Sequence, residues 1–440
     1  MQVVDIIIHA ENIITGKMPI HVLKNHALII NNNLIINIVP SAEADKIYNS
    51  HNKISYNHHV ILPGLINSHT HSAMTLFRGL ADDVELITWL QNYIWPAETA
   101  WVSNDFVYDG TRLAIAEMIR SGTTCFNDMY FFMNTTARAA EEAGIRAHVG
   151  MGIIDLATKW AQTPEEYFAK SLEFYECYKN SNLVTPTLAP HSVYTVSPKN
   201  LEKINLLAHD KNLKINIHLQ ESVEEIKISQ EKYQKRPLEL LQELAMLSPQ
   251  LIAIHMTQIS NSDLKILERT KPHIVHCPES NLKLNSGLCP VQILAEANIN
   301  VALGTDGAAS NNDLDLFGEM RTAAFIGKFA ANNPKAMRAE YLLQMATING
   351  AQALGIDHIV GTIEPKKSAD FIAVDMNTIE TQPLYHPISQ LIYAAGRQHV
   401  TDVWVAGKQL LKNRELITLD EQEILSKARR WREKISDNFI

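Results

Sequence analysis

Between about residue 60 and residue 365 the chain switches repeatedly between short apolar segments and amphipathic stretches. This rhythm limits its possible folds more than any other feature. TTCFNDM precedes ARAAEEAG, LVTPTLAPH precedes LEKINLLAHDKN, and LIAIHM, HIVHCP and INVALGTD follow in the same manner. Strand–helix alternation on this scale implies a parallel sheet covered by helices. Eight candidate strands, beginning with VILPGLINSH, are enough to close a barrel. Ionisable residues gather at the strand ends: His69, Asp128, His191, His218, His255, His276 and Asp306. In a (β/α)8 barrel that is the face on which sites are built, whereas a doubly wound sheet concentrates ligands at one switch point. The expected fold is therefore α/β, a TIM-like (β/α)8 barrel.

The two ends of the chain have another character. VVDIIIHA and HALIINNNLIINIV near the start, and SADFIAVDM (368–376) and TDVWVAGKQLL (401–411) near the end, are β-rich without helical periodicity. The expected division is a barrel over 61–364, with 1–60 and 365–440 forming a second, β-rich module. LDEQEILSKARRWREKI reads as an amphipathic helix of mixed charge with no chemistry of its own.

Net charge is −9, so no basic stripe is available to displace counterions from phosphates, and nucleic acid is not an expected partner. Cys125, Cys177, Cys277 and Cys289 form neither a CxxC pair nor a disulfide framework, and read as small apolar residues in a reducing compartment. The stretch MQVVDIIIHAENIITG lacks a basic n-region and does not read as a signal peptide. No apolar run reaches the roughly 18 residues that a membrane span needs. No membrane association and a cytoplasmic location are expected.

The strongest chemical signal is LPGLINSHTHSAMTLFRG (62–79). His69 and His71 are separated by one residue, so strand alternation sends both imidazoles to one face, where they can converge on an ion. A single histidine is more often structural, but two neighbouring imidazoles facing one interior are costly without a ligand. His218, closing LKINIHL, suits an imidazole ligand. Asp306, closing INVALGTD, offers a carboxylate that can coordinate and also accept a proton from attacking water. Glu221, three residues past His218, could carry a proton to a substrate ring nitrogen, or could be a solvated helix-start residue. Trp89 and Glu98, in ITWLQNYIWPAE, offer an aromatic face and a carboxylate acceptor. Without further context they read as a helix with a buried Trp and a solvated Glu.

PGLINSHTH, HLQES and GTDGAASNNDLDLF resemble the metal motifs of the amidohydrolase superfamily. More narrowly they resemble the branch that holds 5'-methylthioadenosine/S-adenosylhomocysteine deaminases, guanine deaminases and triazine hydrolases. The similarity covers nearly the whole chain, and it implies that the β-rich ends form the family's small β-sandwich, assembled from both termini. It implies His69, His71, His218 and Asp306 as ligands of one divalent ion, usually zinc. Dinuclear relatives use a carboxylated lysine after the fourth barrel strand; this chain has APHSVYT there, with His191 and no lysine, so a single ion is expected. The resemblance further implies Glu221 as proton shuttle and His255 as hydrogen-bond partner of the attacking water. Trp89, Glu98 and His191 become substrate-binding residues, while His276 can equally be structural.

Together these imply a zinc-dependent aminohydrolase acting on an adenosine-type nucleoside, a small-molecule substrate; a homo-oligomer is left open. Some members carry arginines after the third barrel strand that can engage a homocysteine carboxylate. Here AHVGMGIIDLATKW offers Met151 and Lys159, which favours 5'-methylthioadenosine over S-adenosylhomocysteine. The competing expectations are triazine hydrolysis of the N-ethylammeline type or guanine deamination, and, from another class, an inactive scaffold of this fold.

Overall fold

The computed structural model describes residues 1–439. One sheet has eight strands, all parallel in the pairs whose register is resolved, and each strand neighbours the next in the chain. These strands are β1 (Leu65–Thr70), β2 (Thr123–Tyr130), β3 (Arg146–Ile153), β4 (Val184–Pro190), β5 (Ile215–Leu219), β6 (Leu251–His255), β7 (His273–His276) and β8 (Val301–Leu303). Just beyond β8, the amides of Thr305 and Asp306 both donate to the carbonyl of His69 at 3.1 Å, returning the last strand to the first. That approach needs Gly304, because a Cβ there would stand 2.8 Å from the His69 amide nitrogen. The expected barrel is present. Its β1, β2, β5 and β6 are buried along their whole length, as strands covered on both faces must be.

The second sheet also has eight strands and draws on both ends of the chain. Phe371–Asp375 pairs antiparallel with Asn52–Pro63, which runs parallel to Ile6–Ile14. Alternation puts Ile8, Leu28, Phe371 and Trp404 into one apolar cluster, with Phe371 stacked on Trp404 at 5.6 Å. Ile7, Ala27 and Ile29 face the other way, onto the helix Ser41–Ile47 through Ala44.

Packing divides the chain into two compact units, Met1–Asn67 with Ala116–Cys125 and Asp315–Leu419, and Ser68–Ile115 with Phe126–Leu314 and Asp420–Ile440. In the second unit the helix Glu421–Phe439 sets Trp431 edge-on against Phe106, and its indole N–H donates to Asp109 at 2.9 Å. Among the described residues no helix is long and apolar enough to cross a membrane.

Candidate active site

Ligand atoms of His69, His71, His218 and Asp306 lie within 4.8 Å of one another, at the C-terminal ends of β1, β5 and β8. Asp306 Oδ1 is 3.3 Å from His69 Nε2 and 3.2 Å from His71 Nε2, and His218 Nε2 is 3.3 Å from His69 Nε2. Hydrogen bonds to main-chain carbonyls orient two of the rings. His71 Nδ1 is 2.5 Å from the carbonyl of Met129, and His218 Nδ1 is 2.9 Å from that of His191. A carbonyl can only accept, so each Nδ1 carries a proton, and each ring turns its Nε2 inward. Asp306 has left-handed backbone (φ 60°), and its Oδ2 accepts from Ser280 Oγ at 2.7 Å and Ser310 Oγ at 2.8 Å. The two serines leave Oδ1 free to face the imidazoles. Burial opposes a charge on this carboxyl, but His69 and His71 hold it well below the usual carboxylate range. Three imidazole nitrogens turned inward around an ionised, buried carboxylate are a ligand set that fits one divalent cation. Asp128 stands beside the cluster; its carboxylate accepts the Ser72 amide at 2.7 Å and so fixes the turn that follows His71.

A cavity of about 610 Å³ opens on this cluster, lined by His71, His191, His218, Glu221, His255 and Asp306 among others. Glu221 follows β5, partly buried, with Oε2 3.8 Å from His255 Nε2. Burial, and then repulsion from Asp306, push its carboxyl up to about 8. His255 has φ 74°, and its Nδ1 is 2.9 Å from Asn281 Nδ2; a donating amide there leaves the ring proton on Nε2, toward Glu221. Burial, against the pull of Asp306, keeps His255 neutral, down to about 4. His191 lines the cavity with Nδ1 near Ser192 Oγ (3.1 Å) and Thr195 Oγ1 (3.0 Å). His276 is buried and is not among the lining residues.

Trp89 and Glu98 both line the cavity, on a helical segment that runs from Leu86 to Trp101. Nine positions apart on a regular α-helix, they would point in nearly opposite directions. The turn between them, Leu90–Ile94, is a π-helix, whose wider winding advances less per residue and brings the two side chains toward one side. Glu98 Oε1 accepts from the Tyr130 hydroxyl at 2.7 Å, and burial pushes the carboxyl up to about 7. Leu86, Leu90, Leu156 and Trp160 give the cavity an apolar wall. Lys159 donates to the carbonyl of Ala100 at 2.7 Å.

The sequence reading brought Glu221, His255, Glu98, Trp89 and His191 forward, and all stand around this one cavity. It passed over Tyr130, Ser280, Ser310 and Asn281. Only Tyr130 left a signal, as an aromatic two residues past Asp128 at the end of a strand.

The amidohydrolase family profile matches residues 60–410. A 5-methylthioadenosine/S-adenosylhomocysteine deaminase of Teredinibacter turnerae is 46% identical over 412 residues, 94% of this chain and 93% of that one. A 5'-deoxyadenosine deaminase of Methanobrevibacter smithii is 40% identical over 417 residues, 93% of this chain and 94% of that one. The solved structure of an adenosine deaminase from Xanthomonas campestris with bound zinc has a TM-score of 0.98 and 44% identity, and covers 99% of each chain. With its barrel, its donor set and these matches taken together, the chain belongs to the amidohydrolase family.

Proposed function

We propose that this chain hydrolytically deaminates an adenosine-type nucleoside, with 5'-methylthioadenosine the preferred substrate and S-adenosylhomocysteine a poorer one. The observation that carries the reading is the cavity itself. One end holds the histidine–aspartate cluster with Glu221 and His255, and Glu98 and Trp89 also face into it. His69, His71, His218 and Asp306 would hold one divalent ion, taken as zinc by analogy with the Xanthomonas structure. When bound, that ion supplies positive charge that makes water a competent nucleophile near neutral pH.

The side chains divide the proton transfers. Glu221, its carboxyl raised to about 8, is protonated near neutrality and delivers a proton to ring nitrogen N1 as water adds to C6. Asp306, ionised, takes a proton from the attacking water and passes it to the departing amine, and the remaining hydroxyl proton returns to Glu221 as the C6–N bond breaks, so water and nucleoside become the 6-oxo product and ammonia. Two carboxyls with opposite ionisation are what such a division needs. His255 orients the water through Nε2. Trp89 and His191 contact the base or sugar, and Glu98 accepts the ribose hydroxyls.

The partly buried carboxylate of Glu98 in the cavity favours a ribose-bearing substrate over a free base or a triazine, neither of which has a diol to pair with it. Apolar side chains suit a methylthio group. Ammonia release from 5'-methylthioadenosine, S-adenosylhomocysteine, adenosine, guanine and N-ethylammeline tests the assignment. Turnover of 5'-methylthioadenosine should be fastest; turnover of guanine or the triazine alone would reject it.

A further inference from the structure

Between His218 and Glu221 the chain makes a turn that the surrounding structure has to impose. Gln220 is fully buried with φ 51°, a left-handed conformation that a non-glycine side chain keeps only under constraint. Every polar group on this side chain is engaged. Nε2 donates to the Gln258 carbonyl at 3.0 Å and to Asp263 Oδ2 at 3.2 Å, while Oε1 accepts the Leu238 amide at 3.3 Å. The Gln220 carbonyl accepts the amides of Thr257 and Gln258, both at 3.1 Å.

Behind Gln220 lies an ion pair. Asp263 is fully buried and receives Arg236 in a forked contact, Nε at 3.0 Å and a terminal nitrogen at 2.8 Å, and Arg236 also reaches the Gln258 carbonyl at 2.5 Å. Burying such a pair contributes little net stability, because desolvation offsets the attraction. What it does provide is a fixed geometry, with the Asp263 carboxylate held as acceptor for the Gln220 side chain at the one turn that precedes Glu221. The next peptide groups are held as well: Glu225 Oε2 accepts the Glu221 amide at 2.8 Å, and Thr257 Oγ1 donates to the Glu221 carbonyl at 2.6 Å.

We propose that the Arg236–Asp263 pair, buried at its aspartate, and Gln220 are positioning residues that fix where the Glu221 carboxyl group stands in the active site. None of the three lines the cavity, so they act through the turn and not on substrate. This inference rests on the role given above to Glu221.

The test uses the metal-loaded protein and two single variants. Asp263→Asn weakens the ion pair. Gln220→Asn keeps a residue that tolerates left-handed backbone but is one methylene too short to reach Asp263 and Leu238, and it decides the matter should Asp263→Asn fail to fold. Each should lower kcat on the order of tenfold or more through misplacement, with metal content and KM unchanged. In a Glu221→Gln background the same changes should cost nothing further. Crystal structures of the variants should show the carboxylate of Glu221 displaced. Unchanged kcat, losses that multiply with Glu221→Gln, or loss of the ion, which would place the effect on His218, would each overturn the proposal. If Glu221→Gln itself turned over at the wild-type rate, the proton-carrier role would fall. The crystal structures would still decide the positioning: an unmoved Glu221 side chain rejects it, and a displaced one upholds it.

Discussion

The Tyr130 hydroxyl donates a 2.7 Å hydrogen bond to Glu98 Oε1, so the carboxylate expected to meet the ribose is already oriented by a side chain from the end of β2. Burial raises Glu98 to about 7, and the Tyr130 bond works against that rise. The ionised acceptor is therefore present above about pH 7 and lost as the pH falls through that value. For a nucleoside, kcat/KM should decline on the acid side of 7, and Tyr130→Phe, which removes a bond favouring ionisation, should move that limb to higher pH. A pH profile with no such limb, or one that Tyr130→Phe leaves in place, would count against Glu98 as the ribose acceptor.

Glu98→Ala should impair nucleosides far more than free bases. Losing hydrogen bonds to a charged acceptor costs on the order of 1.5–3 kcal/mol, or about one to two decades in kcat/KM. A 2',3'-dideoxy nucleoside should be a poor substrate for the wild type and lose nothing more in the variant. Equal losses with and without the diol would mean that Glu98 supports the helical segment and not the ligand.

Three imidazoles and a carboxylate converging within 4.8 Å predict about one divalent ion per chain in purified protein. Chelation should abolish turnover and added zinc restore it, and His218→Ala should lower bound metal measured by elemental analysis. Full activity in metal-free protein would reject the mechanism.

Glu221→Gln should retain the ion and the fold yet lose roughly 10²–10⁴-fold in kcat, the usual contribution of a general acid–base group. Steady-state kinetics on protein of known metal content measures this directly.

The hydroxyls of Ser280 and Ser310 hold Asp306 Oδ2 and so aim Oδ1 at the histidines. Removing both, in Ser280→Ala/Ser310→Ala, should weaken metal affinity about 10–100-fold, the effect typical of partners that orient a ligand. Competition with a chromogenic chelator would read the change, and unaltered affinity would show that Asp306 is held by its left-handed backbone alone.

Local chemistry explains why so much of this site was legible in the chain. Side chains alternate along a strand by geometry alone, so His69 and His71 had to share a face, and strand–helix alternation had to place His218 and Asp306 at the same end of a parallel sheet. The β-rich ends likewise announced a separate sheet through their own residues. What remained hidden depends on distances that no local rule supplies. Nothing in the chain relates Ser280 to Asp306, Asn281 to His255 or Arg236 to Asp263, each pair some 26 or 27 positions apart and joined only by the barrel's register. Trp89 and Glu98 face one cavity because a π-turn interrupts their helix, and helical periodicity alone would have set them apart. His276 looked equivalent to its neighbours at the strand ends, yet the fold buries it away from the cavity. The sequence by itself determined which residues would stand at the C-terminal ends of the strands, because strand direction and alternation are local. Tertiary structure alone decided which atoms they would meet there, because hydrogen-bond partners are chosen by the closure and register of the whole sheet.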